Sequence, residues 1–207
     1  MYIPTQFRET DIPTIHGAIR AAGLATLVTT GPDGILATPL PLLLDPAPAP
    51  YGTLLGHVAR ANTQWQRSDS GTEALAMFAG PDAYITPSWY ATKRATGKVV
   101  PTWNYVAVHA YGPVEFFDDA ERLLALVTRL TDRHEGERAS PWAVADAPPE
   151  FTQAQLKGIV GVRLTITRLE GKWKMSQNRN AEDRAGVVAG LTEQGRPEIA
   201  AMVAAQR

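Results

Sequence analysis

The chain has 207 residues, of which 44% are hydrophobic and 20% are charged, proportions that are ordinary for a globular protein and exclude a disordered or collagen-like chain. Twenty Lys and Arg side chains stand against 21 Asp and Glu, and the formal net charge of -1 disfavours a protein dedicated to binding the DNA backbone. The chain has no cysteine, which excludes disulfides, thiolate nucleophiles and cysteine-ligated metals.

The amino-terminal sequence MYIPTQFRETD carries charges by residue 8 and lacks the apolar stretch of a signal peptide. The densest apolar run, residues 40–44, is interrupted by Pro41 and is far shorter than the roughly 20 residues that span a bilayer. We therefore expect a cytoplasmic protein without a membrane segment.

The first half of the chain predicts one helix followed by strands. Asp11 is suited to cap the helix, and Gly23 to end it. Pro39 and Pro41 indicate that their strand lies at a sheet edge or contains a bulge. The predicted elements are a helix at 11–22, strands at 24–30 and 35–44 joined by a turn at 31–34, and strands at 53–58, 74–79 and 83–86.

The second half predicts one long strand and several helices. Leucines at 123, 126 and 130, with Val127, form an apolar stripe at helical spacing. Asn180 and Asp183 resemble a capping box, and Pro197 fits the first turn of a helix. The predicted elements are strands at 103–117 and 159–169, helices at 119–134, 151–157, 181–191 and 197–205, and a loop at 141–150.

Most of the strands follow one another without intervening helices. This order favours an antiparallel barrel or a mainly β, α+β fold over a doubly wound sheet. The sequence shows no internal repeat and no clear linker. We therefore expect a single domain over residues 1–207, with a helical insertion near 119–157.

Common catalytic signatures are missing from the sequence. It has no Rossmann or P-loop glycine pattern, no H-E-x-x-H and no G-x-S-x-G. Four histidines without cysteine or close spacing predict no metal site. No acid–base pair stands out, so the sequence assigns no catalytic residue.

Four segments, 56–65, 80–93, 99–112 and 171–179, combine aromatic side chains with amides and hydroxyls, and three of them also carry Lys or Arg. A flat phosphorylated ligand such as a flavin needs aromatic cover, amide hydrogen bonds and cations in this way. The alternative is structural: each Trp could be a core residue, and His57 and His109 could be packing residues.

These segments, in this order, resemble the PaiB family, whose members are described as FMN-binding negative transcriptional regulators. The matching strings are MYIPTQF, GHVARAN, F-x-GP-x-AYI-x-PSWY, VPTWNYVAVHAYG and GKWKMSQNR, and the resemblance runs from Met1 to about Leu191. It implies an FMN-binding split β-barrel, similar to pyridoxamine phosphate oxidases and flavin reductases. It also implies a homodimer with the flavin at the subunit interface.

The resemblance implies three groups of cofactor-binding residues. The candidates are Arg60, Asn62 and Lys93 for the phosphate, then Thr102, Trp103 and Asn104 along the flavin, and finally Trp173, Ser176, Gln177 and Asn178 from the partner subunit. The chain departs from the family at Pro39, where a His is usual, and at Thr63, where a Pro is common. Pro39 removes a side-chain donor, an acceptor and a backbone N–H.

Three functions remain open on the sequence. The first is an FMN-binding protein with oxidoreductase or flavin reductase activity. The second is a direct DNA-binding transcriptional repressor, which only the family description supports. The third is a barrel that binds another planar cofactor, such as haem or a deazaflavin.

Overall fold

A computed structural model describes residues 1–69 and 72–206, and in these residues nine strands and seven α-helices follow one another along the chain. Short 3-10 helices lie at Thr5–Phe7, Pro87–Trp89 and Val144–Asp146. The strands and helices are β1 (Arg8–Glu9), α1 (Ile12–Ala21), β2 (Ala25–Gly31), β3 (Gly34–Leu40), β4 (Leu43–Asp45), β5 (Thr53–Ala59), α2 (Gln64–Arg67), β6 (Glu73–Ile85), α3 (Ala91–Thr96), β7 (Thr102–Phe117), α4 (Ala120–Glu135), α5 (Pro149–Leu156), β8 (Ile159–Thr165), β9 (Arg168–Lys174), α6 (Ala181–Glu193) and α7 (Pro197–Ala204).

Side chains immediately before the helices fix where three of them begin. The Asp11 carboxylate accepts from the Thr14 backbone N–H at 2.9 Å before α1, as predicted. Asp119 does the same for Arg122 before α4, at 2.8 Å. The Asn180 side chain accepts from the Asp183 N–H at 2.8 Å before α6. These caps satisfy backbone donors that a helix start leaves unpaired.

The strand boundaries differ from the prediction at three places. The predicted strand over 35–44 is broken at Pro41 into β3 and β4. The two strands predicted at 74–79 and 83–86 are one continuous strand, β6. The strand predicted at 159–169 ends at Thr165, and β9 begins at Arg168.

The described residues form two compact units, which are treated separately. The first contains residues 1–21, 79–109 and 170–206, and the second contains 22–69, 72–78 and 110–169. Strands β6, β7 and β9 run through both.

The first unit is built on β9, which pairs with β1 and with β7. Its core joins the ends of β6, β7 and β9 to the last two helices. Tyr90, Met175 and Leu191 are fully buried there, and Ile199 and Val203 of α7 are almost completely so. Trp89 and Trp173 lie partly buried against the same core.

In the second unit, β2 pairs antiparallel with β3 and with β6. A second series of antiparallel pairs joins β7 to β8, β8 to β5 and β5 to β4. Strand β3 is the end strand of its series, which fits the edge position that its prolines predict. The leucine stripe of α4 is buried against Phe117 and Leu156. The helices expected near 119–157 are α4 and α5.

Among the described residues, no helix has both the length and the apolar character needed to cross a lipid bilayer.

Candidate functional site

In the first unit, the start of β7 meets the turn that follows β9. The Asn104 side chain is completely buried, and its amide nitrogen donates to the Ser176 hydroxyl at 3.0 Å. The same hydroxyl lies 3.2 Å from the Asn104 carbonyl oxygen. This polar pair fixes the turn against the long strand, because a buried amide without partners would be costly.

Ser176 adopts a left-handed backbone conformation, with φ of 63°. A non-glycine residue in this region costs about 1–2 kcal/mol. Such strain is maintained only where the surroundings determine it, and it is concentrated at functional sites. Here the buried hydrogen bond to Asn104 holds Ser176 in this conformation.

Lys174, at the end of β9, contacts two of the predicted residues although the resemblance does not imply a role for it. Its ammonium group donates to the Trp103 carbonyl oxygen at 2.6 Å and to the Thr102 hydroxyl. Burial lowers the pKa of Lys174, and the positive charges of Lys172 and Arg179 lower it further. Lys172 and Arg179 are therefore each close enough to Lys174 to repel its charge.

The other predicted residues of the 173–178 segment have different surroundings. The Gln177 amide nitrogen donates to the Trp173 carbonyl at 2.6 Å, and its oxygen accepts from the Met175 N–H at 2.7 Å. Gln177 therefore stabilises its own turn. Trp173 is half-buried against the core, and Asn178 is exposed.

Trp103 is exposed and forms a surface with a second aromatic residue. Its side chain is 53% exposed and meets Tyr84 edge to face, with ring centroids 5.8 Å apart. Val100, on the segment before β7, is also exposed. Trp103 is thus not a core residue, which removes the structural alternative for this Trp.

Lys93 lies on the exposed side of α3, where its ammonium group donates to the Ser88 hydroxyl at 3.1 Å. The structure shows no contact between Lys93 and the other predicted site residues among the hydrogen bonds and ion pairs it describes.

Arg60 and Asn62 belong to the second unit and are largely occupied there. The Arg60 Nε donates to the Lys157 carbonyl at 2.8 Å, and Nη2 donates to the Ile159 carbonyl at 3.1 Å. Its Nη1 lies 3.6 Å from Asp118, beyond hydrogen-bonding distance. Asn62 donates to the Thr38 hydroxyl at 2.9 Å, and its side-chain oxygen accepts from the Gln64 N–H at 3.0 Å.

The structure therefore brings Thr102, Trp103 and Asn104 together with the 173–177 segment in one chain. The resemblance implies that this segment approaches from the partner subunit. That approach stays a prediction; within this chain, β9 pairs with β7 and places the Asn104 and Ser176 side chains in contact.

Pro39, at the position where the family usually has His, lies on β3 opposite Thr26 and is exposed. Its missing N–H is tolerated because β3 is an end strand. The neighbouring Thr38 hydroxyl accepts from Asn62, so this part of β3 is tied to the HVARAN segment.

Comparison with known proteins finds relatives that match nearly the whole chain. A family model described as "Putative FMN-binding domain" matches residues 1–168. The "Protease synthase and sporulation protein PAI 2" of Bacillus subtilis (strain 168) is 34% identical over 202 residues, which cover 98% of this chain and 94% of that relative.

Two solved structures resemble the fold. The flavocytochrome Anf3 of Azotobacter vinelandii has a TM-score of 0.58 at 15% identity, covering 86% of this chain and 75% of its own. The FAD and heme binding protein of Mycobacterium smegmatis has a TM-score of 0.58 at 18% identity, covering 88% and 80%. At such identities the similarity concerns the fold alone. Together with the antiparallel pairing and peripheral helices, it confirms the predicted split-barrel fold class.

Proposed function

The chain belongs to the PaiB family of FMN-binding split-barrel proteins, and on that premise we propose that Trp103 and the 173–178 segment hold the cofactor in the first unit. FMN supplies reversible electron or hydride transfer when it is bound. The observation that carries the proposal is the contact of the Lys174 ammonium group with the backbone carbonyl of the exposed Trp103.

The chemistry of these residues fits FMN. The exposed Trp103 ring, supported from its edge by Tyr84, offers an apolar surface for a flat ring system. Lys174 contacts the backbone of that same Trp103, and Lys172 and Arg179 add positive charge. An anionic group bound here would relieve the repulsion among the cations. Thr102 completes the proposed surface, and the buried Asn104 supports it by holding Ser176 in place.

Arg60, Asn62 and Lys93 stay predictions for the phosphate. Two nitrogens of Arg60 donate to backbone carbonyls, and its Nη1 forms an ion pair with Asp118 at 3.6 Å, which a phosphate would have to replace. The Asn62 side chain already bonds to Thr38 and Gln64, so its role would be to position the loop that follows β5.

We extend the proposal to a homodimer that acts as a flavin-dependent oxidoreductase or flavin reductase. The exposed apolar side chains of Tyr84, Val100 and Trp103 support a subunit contact in the first unit. Direct DNA binding is less well supported, because Arg122 and Arg163 both pair with Glu115, and Arg129 pairs with Asp45. A surface of such ion pairs is not a free basic stripe.

The test compares two exposed tryptophans. Trp103→Ala should weaken FMN binding about tenfold, which corresponds to about 1.4 kcal/mol, with little loss of stability because the side chain is exposed. Trp142→Ala, at a similarly exposed Trp of the second unit, should leave FMN binding unchanged. Affinity is measured by the change in flavin fluorescence, and folding by circular dichroism.

The same purified protein separates the candidate functions. A flavin absorbance spectrum that NADH or NADPH bleaches supports the redox function, whereas a Soret band after addition of haemin supports the haem alternative. Protein that stays colourless and does not bind added FMN would contradict the proposal.

A further inference from the structure

One face of the paired strands β7 and β9 collects positive charge beside aromatic rings. Successive residues of a strand point to opposite faces, so Lys172 and Lys174 share one face of β9, and Trp103 and Tyr105 share one face of β7. The Lys174 ammonium group donates to the Trp103 carbonyl at 2.6 Å, and the Lys172 Nζ lies 5.0 Å from the centroid of the Tyr105 ring. Both cations of β9 therefore lie against the part of β7 that carries the exposed indole.

Lys172 is a cation with little access to water. It is only 8% exposed, and its ammonium group donates to the Tyr2 carbonyl at 3.2 Å. Glu170 belongs to the same face of β9 by alternation, but its carboxylate lies 2.6 Å from the amino group of Met1 and is paired with it. The Lys172 charge is thus bound by a carbonyl and an aromatic ring, which do not neutralise it.

Arg179 brings a third positive charge from the segment that follows β9. Its guanidinium lies 4.5 Å from the centroid of the Tyr90 ring. The Asp183 carboxylate also acts on Tyr90, but it accepts from the Thr92 N–H at 2.9 Å and from the Thr92 hydroxyl at 2.8 Å. Asp183 is therefore occupied by neutral donors.

The three cations have no carboxylate that neutralises them within the described part of the chain. None of the ion pairs formed there includes Lys172, Lys174 or Arg179. Burial lowers the pKa of Lys174, and the charges of Lys172 and Arg179 lower it further, so positive charge is disfavoured at this point. A ligand that gains negative charge beside these residues would be stabilised.

We propose that Lys174, with Lys172 and Arg179, makes the site bind reduced FMN more tightly than oxidised FMN. The inference rests on the proposed flavin site, since a ring system on Trp103 lies within reach of an ammonium group that is bound to the Trp103 carbonyl. Reduction adds two electrons and one proton to the neutral ring system of FMN, which then carries one negative charge. Fixed positive charge beside the ring stabilises that form and raises the midpoint potential of bound FMN.

The test measures the midpoint potential of FMN on the protein and in free solution. Xanthine and xanthine oxidase supply the electrons without oxygen, and a reference dye reports the potential. The wild-type protein should hold FMN at least about 30 mV above free FMN, which corresponds to about tenfold tighter binding of the reduced form. Lys174→Gln removes the charge and should lose most of this difference, whereas Lys174→Arg keeps the charge and should retain it.

Lys98→Gln is the matched control, because Lys98 is an exposed lysine of the same unit and the net charge changes equally. It should keep the wild-type potential. Arg179→Gln is a second variant for the case that Lys174→Gln does not fold, since the Arg179 side chain is only partly buried, and it should also lower the potential. Circular dichroism verifies the fold of each variant.

The possible outcomes separate this inference from the flavin proposal. Bound FMN with the potential of free FMN, or an unchanged potential in folded Lys174→Gln, would overturn the inference and leave the flavin proposal standing. An equal decrease in Lys98→Gln would show a general effect of net charge and would also overturn it. Wild-type protein that does not bind FMN would contradict the flavin proposal, and this inference with it.

Discussion

Asn104 and Ser176 show how two residues that resemble cofactor ligands also serve the structure. Asn104 is fully buried, and its hydrogen bonds to Ser176 hold a residue with φ of 63°. Substituting either side chain would leave a buried polar partner unsatisfied, at a cost of about 1–3 kcal/mol. A loss of FMN binding in such variants would therefore not distinguish a lost cofactor contact from lost stability. The Trp103→Ala variant does distinguish them, because Trp103 is exposed.

His57 links the stability of the second unit to pH. It lies on β5 opposite Gly161, and its Nδ1 is buried with no hydrogen-bond partner among the residues that the structure describes. Burial lowers the pKa of His57 from the ordinary value of 6.5. The folded state thus binds fewer protons than the unfolded state in this range. Stability should fall as the pH drops from 6.5 through the lowered pKa.

Urea unfolding at about pH 7.5 and about pH 5 checks this dependence. The wild-type protein should lose more stability on acidification than His57→Gln, which has no imidazole to protonate. His134→Gln is the control, because His134 is an exposed residue in the last turn of α4, and it should retain the wild-type dependence. Equal losses in the wild type and His57→Gln would show that other groups control the acid sensitivity.

Among the elements, α6 presents a glycine surface to Trp89. A Cβ atom on Gly190 would overlap the Trp89 indole, and one on Gly186 would overlap the Trp89 carbonyl. Gly190→Ala should therefore destabilise the protein by about 1–3 kcal/mol through overpacking. Gly17→Ala in α1 should instead stabilise it by about 0.5–1 kcal/mol, because nothing lies within 4 Å of the added Cβ.

Thermal unfolding of the two glycine variants measures these opposite effects. Both variants gain from the general preference of helices for alanine over glycine, but only Gly190→Ala places its new Cβ against Trp89. Stabilisation by Gly190→Ala would show that Trp89 moves aside easily and does not rest on the glycine surface.

Five of the seven α-helices in the described residues could be predicted from the sequence because their signals are local, whereas the short helices α2 and α3 were not predicted. Asp11 and Asn180 precede their helices directly, and the leucine stripe of α4 repeats within one element. The strands predicted at 74–79 and 83–86 left a break that includes Gly80, yet β6 continues through it. A Cβ on Gly80 would lie 2.8 Å from the Val106 Cβ, so the glycine permits close approach to β7 and makes no turn.

The candidate site was only partly predictable for a different reason. The Asn104–Ser176 bond and the contacts of Lys174 with Thr102 and Trp103 each join residues more than 70 positions apart. Such pairs depend on the pairing of β9 with β7, which composition and spacing do not specify. The resemblance implied roles for Thr102, Trp103 and Ser176 but none for Lys174.

At the scale of the whole molecule, the exposed apolar side chains of the first unit support the proposal that two chains form the functional protein. Trp103 is 53% exposed and contacts the ring of Tyr84, and Val100, three residues before Trp103 in the chain, is 66% exposed. Exposed apolar side chains that lie together often mark an interaction surface. If this surface forms the proposed subunit contact, the protein without FMN should already be a dimer.

Light scattering after size-exclusion chromatography measures the mass directly, and the wild-type protein should have the mass of two chains. Val100→Glu places a charge within the proposed contact and should give the mass of one chain, with an unchanged circular dichroism spectrum. Ile35→Glu is the control, because Ile35 is even more exposed but lies on β3 in the second unit, and it should remain a dimer. A wild-type mass of one chain would contradict the homodimer, and a two-chain mass for Val100→Glu would move the contact to another surface.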